Sequence, residues 1–247
     1  MTGQLAFDLA AVPSLRREDF LVAPSNALAF RAVGDWRSWP GGKLALIGPA
    51  GSGKTHLAAL WASEAEARIL AGADLAGLAA AGTALADLAA VGRVAVEDAG
   101  AIAGDHGAER ALLHLHNLVL AGGGRLLLTG DQPPARWEVQ LPDLASRLAA
   151  TPTAALERPD DALLSAVLVK LFADCQLAVP PALIPWLVAR MERSLAAARR
   201  LVARLDARAL AEGRPVTRTL AAALLAEEAA TSGAGTAALD SHPDPTP

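Results

Sequence analysis

The chain has 247 residues, enough for one α/β domain and a smaller helical one. Hydrophobic residues are 53% of it, much of that alanine, so helices should dominate, and a formal net charge of −4 argues against a large DNA-coating surface. The single cysteine, Cys175, excludes an internal disulfide and fits a reducing compartment, and its apolar surroundings mark it as core rather than nucleophile.

In residues 1–12, Gln4 precedes an alternation of Leu5, Phe7 and Leu9, which an extended backbone puts on one side. That pattern reads as an edge strand or frayed terminus, or as a short peptide that docks apolar anchors into a partner's groove. Ser25 and Asn26 can cap a helix carrying Leu28, Ala29 and Ala32, and Pro40-Gly41-Gly42 ends that unit. The N-terminus lacks the basic start and long apolar core of a signal peptide. The alanine-rich run 71–91 is broken by Asp74, Asp87 and glycines, so no membrane span is expected and the chain reads as cytoplasmic.

An apolar strand, residues 44–47, runs into Gly48-Pro49-Ala50-Gly51-Ser52-Gly53-Lys54-Thr55, and a helical pattern beginning at His56 follows. Strand, glycine loop and helix form the context of a phosphate-binding loop. Glycines at 48, 51 and 53 let the backbone turn its N–H groups toward an anion, and the helix N-terminus adds positive partial charge. Lys54 supplies a full charge for the β- and γ-phosphates, and Thr55 a hydroxyl for Mg²⁺.

Further strands are predicted at 67–70, 93–98 and 125–131, with a helix over 108–121 stopped by Gly122-Gly123-Gly124. Strands alternating with helices predict an α/β fold, a three-layer P-loop domain on a parallel sheet. From about residue 160 the pattern is helical alone, at 160–176, 180–190, 194–212 and 217–228, with Asp160 and Thr217 as caps and Gly213 as a stop. This predicts a small all-helical lid, followed from Ser232 by a Gly/Ser/Pro-rich tail with the composition of disorder.

Glu97 and Asp98 end the third strand, where a nucleotide hydrolase needs an acid for Mg²⁺ and another to activate water; solvated acids at a strand end are the plainer alternative. Asp131 ends the next strand and would emerge at the same carboxyl edge, as a phosphate sensor or as a turn residue ahead of Pro133-Pro134. Arg147 could neutralise charge on a neighbouring subunit's nucleotide, or be a surface arginine. His56, His106, His114 and His116 do not make a metal set.

Taken together, these residues resemble the AAA+ family of the bacterial replication initiator DnaA, and more closely its Hda-type regulatory inactivators, over nearly all of residues 3–228. Residues 19–26 are similar to the family's adenine-contacting lead-in segment, residues 48–55 to its Walker A loop, residues 94–105 to its Walker B strand and the stretch after it. Residues 128–134 resemble sensor 1, and 141–148 the arginine-finger segment. The resemblance implies ADP or ATP with Mg²⁺ as cofactors. Val22, Pro24, Asn26, Pro49, Ala50, Gly51, Ser52, Gly53, Lys54, Thr55 and His56 are then nucleotide contacts, and Thr55 and Glu97 the metal side. Glu97, Asp98, Asp131 and Arg147 would carry the chemistry.

Gln4, Leu5, Phe7 and Leu9 are similar to the motif that binds the DNA polymerase sliding clamp, which tips residues 1–12 toward a docking peptide. The implied organisation is a clamp-binding peptide at 1–12, an AAA+ domain at 13–158, a lid at 159–230 and a tail at 231–247. The implied function is negative regulation of replication initiation: a clamp-tethered, nucleotide-bound protein that promotes ATP hydrolysis by DnaA. Its partners would be the clamp and DnaA, with DNA reached only indirectly, no membrane, and a homo-oligomer allowed through the AAA+ interface.

Three departures qualify this. Glu97 stands where the family usually has Asp, and Ala197 where it has the sensor 2 arginine, with Arg193, Arg200 and Arg204 on the same helical face as substitutes. Both fit a nucleotide-stabilised regulator, at most a weak ATPase, better than a robust ATPase. Nothing after Glu228 resembles a helix-turn-helix DNA-binding domain. The competing readings are a helicase-loader-like or DNA-acting ATPase, with the lid arginines on DNA, and a small-molecule P-loop kinase.

Overall fold

The computed structural model describes residues 20–80 and 84–237; Gln4, Leu5, Phe7 and Leu9, and residues 238–247, lie outside the described residues. Five parallel strands form one sheet in the order β2-β3-β4-β1-β5. They are β1 (Lys43–Ile47), β2 (Arg68–Ala71), β3 (Arg93–Glu97), β4 (Arg125–Gly130) and β5 (Thr153–Ala155). The central strands are apolar runs because both sheet faces are covered. Alternate residues supply two cores: Ala45, Val94, Val96, Leu126 and Leu128 face one layer, while Leu44, Leu46, Ala95, Leu127 and Ala154 face the other.

The first layer holds α3 (Leu75–Ala80), α4 (Ala84–Ala90), α5 (His106–Ala121) and α6 (Pro142–Ala149). The second holds α1 (Ala27–Gly34) and α2 (Lys54–Ala65), with Trp39 stacked on Trp61. The predicted three-layer parallel fold is the observed one. Strand β5 is not among the predicted strands: three residues after Pro152 are too short a run to show periodicity, and the strand forms by pairing with the edge of β1.

After the sheet come four helices, α7 (Asp161–Asp174), α8 (Leu183–Val188), α9 (Leu195–Glu212) and α10 (Arg218–Ala237), around their own core of Leu164, Leu168, Phe172, Leu187, Leu201 and Leu205. Asp160 caps α7 by accepting from Leu163 N at 2.7 Å, Thr217 Oγ1 accepts from Leu220 N at 3.2 Å, and Gly213 ends α9 in the left-handed region at φ 61°. The last helix continues to Ala237, past the expected stop at 228, and so occupies 231–237, which composition had assigned to the tail. Cys175 is half-buried against this core, and burial and nearby Asp206 and Asp174 push its thiol up, away from nucleophilic character. No helix among the described residues is long and apolar enough to cross a membrane.

Asn26 stands at the N-cap position of α1 without making the cap bond expected of it. Its side chain instead closes the lead-in segment: Oδ1 accepts from Ala23 N at 2.9 Å and Nδ2 donates to Leu21 O at 3.0 Å. Leu28 is exposed, and Ala29 and Val33 make the buried face of α1.

Candidate functional site

Because all five strands run the same way, their carboxyl ends share one edge, and the loops there converge. A cavity of about 750 Å³ opens at that edge, lined by Ala50, Gly51, Gly53, Lys54, Thr55, His56, Asp98, Asp131, Arg136, Trp137, Leu195 and Arg199 among others. The phosphate loop supplies one wall, the ends of β3 and β4 a second, and the first turn of α9 a third.

Two glycines are required by the packing of the loop. Gly48 lies at φ 151° with its Cα against the Leu156 carbonyl, and Gly51 at φ 73° against the Ser194 hydroxyl; a Cβ at either would collide with those atoms. Leu195 N donates to Gly51 O at 2.9 Å, so the lid helix α9 is seated on the loop by a backbone bond as well. Lys54 is buried, and its ammonium donates to Gly48 O at 2.6 Å, Pro49 O at 3.1 Å and Asp131 Oδ1 at 2.8 Å. Lys54 and Asp131, 77 residues apart in sequence, thus meet in space.

Asp98 lines the cavity, with φ at 49° and its N–H donating to the buried Thr129 hydroxyl at 3.0 Å. Glu97 does not line it, but its Oε1 is buried with no hydrogen-bond partner. Thr55 is exposed on the first turn of α2. Of the other predicted contacts, Ala50, Gly51, Gly53 and His56 line the cavity, whereas Pro49 and Ser52 do not.

Arg199 is a cavity residue that the sequence pattern does not single out. Ala197, aligned with sensor 2, is buried in the lid core, and the three substitutes point elsewhere. Arg193 pairs with Asp161 at 2.6 Å, Arg200 with Glu192 at 3.6 Å, and Arg204 with Glu227 and Glu228 at 2.7 and 2.8 Å. Arg199 lies one turn beyond Leu195 on the cavity face, with Nη2 at 2.7 Å from His56 Nδ1, and burial lowers its pKa. The available signal was the i, i+4 spacing from Ser194-Leu195, the point where α9 begins. Arg136 and Trp137, which follow the sensor segment, were also missed. Trp137 Nε1 donates to Gln132 O at 2.9 Å, and its ring covers Gly100 and Gly130.

A second cavity, about 300 Å³ and largely apolar, abuts the first and shares His56, Leu195 and Arg199 with it. Phe20, Leu21 and Asn26 close it from the lead-in segment, Leu163, Val167 and Leu171 from α7. Phe20 stacks on Phe30 at 5.0 Å and meets His56 edge-on at 5.4 Å. Val22 and Pro24, predicted as contacts, are exposed and line neither cavity.

Arg147 stands apart. It is half-buried on α6, its carbonyl accepts from Lys43 Nζ at 2.7 Å, and Lys43 opens β1, at the other end of that strand from the phosphate loop. It does not line the cavity. Among the described residues there is no group of three or more His, Cys, Asp or Glu side chains placed to hold a metal ion.

No protein-family model matches the chain. Among solved structures it is similar to domain III of the Thermotoga maritima replication initiation protein DnaA, at a TM-score of 0.73 and 23% identity, covering 87% of this chain and 97% of that one. It is also similar to AMPPCP-bound DnaA from Aquifex aeolicus, at 0.64 and 16%, covering 77% of this chain and 64% of that one. A Walker-type ATPase of Pyrococcus abyssi matches at 0.62 and 16%, over 91% and 76%. The chain therefore has the fold of DnaA domain III: a parallel five-stranded α/β domain with its glycine loop at the carboxyl edge of the sheet and a four-helix unit packed against that loop.

Proposed function

We propose that the chain binds an adenine nucleotide across the two adjoining cavities and uses Arg147 to act on the nucleotide of a neighbouring AAA+ protein, DnaA. The phosphates would lie in the larger cavity, on the N–H groups of the loop and α2, with Lys54 turned from Asp131 toward them and Arg199 closing from the lid. The base would extend into the apolar cavity between Phe20, Leu21 and α7. The Thr55 hydroxyl and the Asp98 carboxylate suit Mg²⁺ directly, and the buried, unpartnered Glu97 Oε1, behind the cavity lining, would reach it through water, with phosphate and water oxygens completing its shell. It would neutralise charge on the phosphates, while Asp98 and Asp131 orient water at the cavity wall.

The single observation that carries the regulatory half is the separation of two arginines. Arg199 faces this chain's own cavity, whereas Arg147 sits against the opposite end of β1 and has no part in it. An arginine so placed is available to a nucleotide held by another subunit. Residues 1–12 would tether the chain to the sliding clamp, in the cytoplasm, as a negative regulator of initiation. The DNA-acting reading is weaker, because Arg193, Arg200, Arg204 and Arg208 are each paired with an acid.

The test is hydrolysis of ATP by DnaA with clamp loaded on DNA. Arg147→Ala should bind nucleotide and clamp yet lose the stimulation, and Gln4→Ala/Leu5→Ala should lose clamp capture. Full stimulation by Arg147→Ala would reject the role.

A further inference from the structure

Helix α6, which carries Arg147, is short, starts with Pro142 and has no side-chain cap at Leu141. It is held instead by two buried charges from outside itself. At its start, Glu109 of α5, fully buried, accepts from Gln140 N through both oxygens at 3.0 Å and from Leu141 N at 2.9 Å. At its end, Lys43 of β1, 9% exposed, donates to Arg147 O at 2.7 Å, where Thr151 Oγ1 also donates at 2.9 Å. An anion at a helix N-terminus and a cation at its C-terminus both match the helix dipole. A buried carboxylate met by backbone N–H groups is a costly arrangement to build for a surface helix of eight residues.

Glu109 has a third attachment. Its Oε1 also accepts from Gly104 N at 2.9 Å, the residue after Ala103 in the cavity wall. The segment it grips before α6 likewise leaves the cavity at Trp137 and Glu138. One carboxylate therefore joins both strand-end loops of the nucleotide cavity to the start of the Arg147 helix.

We propose that Glu109 is a positioning residue: it ties the wall of the nucleotide cavity to helix α6 and so sets where Arg147 is presented, with Lys43 fixing the far end. The inference rests on the reading of Arg147 given above. The occupancy of the chain's own cavity then bears on the placement of the arginine it offers to a partner, through backbone held on a single rigid side chain.

The experiment measures DnaA ATP hydrolysis against the concentration of full-length Glu109→Gln, Lys43→Met and Arg147→Ala, each checked for folding by thermal melt and for ADP binding by calorimetry. Glu109→Gln and Lys43→Met should bind ADP and half-saturate DnaA within about threefold of the intact chain. Their maximal stimulated rate should fall about tenfold or more, since a displacement near 1 Å suffices for that. In the intact chain, hydrogen exchange at the amides of Gly104, Gln140 and Leu141 should slow together when ADP is added; this reading stands if Glu109→Gln fails to fold. Full maximal rates in both positioning variants, with Arg147→Ala inactive, overturn the inference alone, as do amides indifferent to ADP. Full stimulation by Arg147→Ala overturns the underlying reading and this inference with it.

Discussion

Lys54 Nζ lies 2.8 Å from Asp131 Oδ1, so the cation that would meet a phosphate is held by an acid from the end of β4 and by two carbonyls of its own loop. Nucleotide must exchange these partners for phosphate oxygens. The side chain of Asp131 is 66% exposed, so the pair is partly screened and the exchange is easy. Asp131→Asn should therefore bind ATP as tightly as the intact chain or up to about threefold tighter, whereas Lys54→Ala should lose at least about tenfold. Calorimetric titration checks both, and weakened binding by Asp131→Asn would contradict the exchange.

Arg199 should behave differently from every other lid arginine. Arg199→Ala is expected to lower ATP affinity about tenfold, and AMP affinity far less. Arg193→Ala, which removes an exposed pair with Asp161, should stay within about twofold. Equal losses in the two variants would remove Arg199 from the site.

The seat of the lid on the loop predicts a steric effect. Gly51→Ala places a methyl on the Ser194 hydroxyl in a backbone conformation that disfavours any Cβ, and should cost roughly 1–3 kcal/mol in denaturant unfolding and weaken nucleotide binding. Ser194→Ala removes the hydroxyl part of that clash, leaving its Cβ 2.8 Å from the added methyl, and it removes the cap on Ala197 N, at about 1 kcal/mol. Combining the two should cost less than the sum.

The sheet and the phosphate loop were legible because buried parallel strands are apolar runs and the loop's residue types follow from local geometry. Asp98, Asp131 and Lys54 could be placed at one edge for the same reason: parallel strands end together. The lid's contribution was not legible. Which face of α9 meets the cavity depends on where Ser194 starts the helix and how α7 packs on it, so Arg199 reaches the cavity while Ala197 lies in the helical core and Arg193, Arg200 and Arg204 pair with acids. The lead-in segment failed similarly: Asn26 looked like a cap, but hydrogen bonds to residues 21 and 23 fold the segment back, leaving Val22 and Pro24 outside and Phe20 and Leu21 within.

Buried His116 couples stability to pH. Burial, then Lys43 at 3.4 Å and Arg147, lower its pKa below 6.5, against a smaller upward effect of Asn117. The folded state thus resists protonation while the unfolded chain accepts a proton near 6.5, so this contribution is complete above that pH and is lost as pH falls through the folded value. The melting temperature should drop between about pH 7 and 5, and His116→Gln should flatten that drop. An unchanged slope would dismiss the coupling. Glu109 titrates lower. Burial raises its pKa, but N–H donors from Gln140, Gly104 and Leu141, with His106 nearby, outweigh that and hold it below 4.5. Its contribution is present at neutral pH and lost as pH falls through that lowered value.

Nucleotide binding at the cavity is tested most directly by one titration: ADP, and ATP with Mg²⁺, into the purified full chain in a calorimeter. The intact protein should take one nucleotide per chain, and Lys54→Ala and Arg199→Ala should each lose at least about tenfold in affinity. No heat with either nucleotide, or equal affinity in the Lys54→Ala chain, would contradict it.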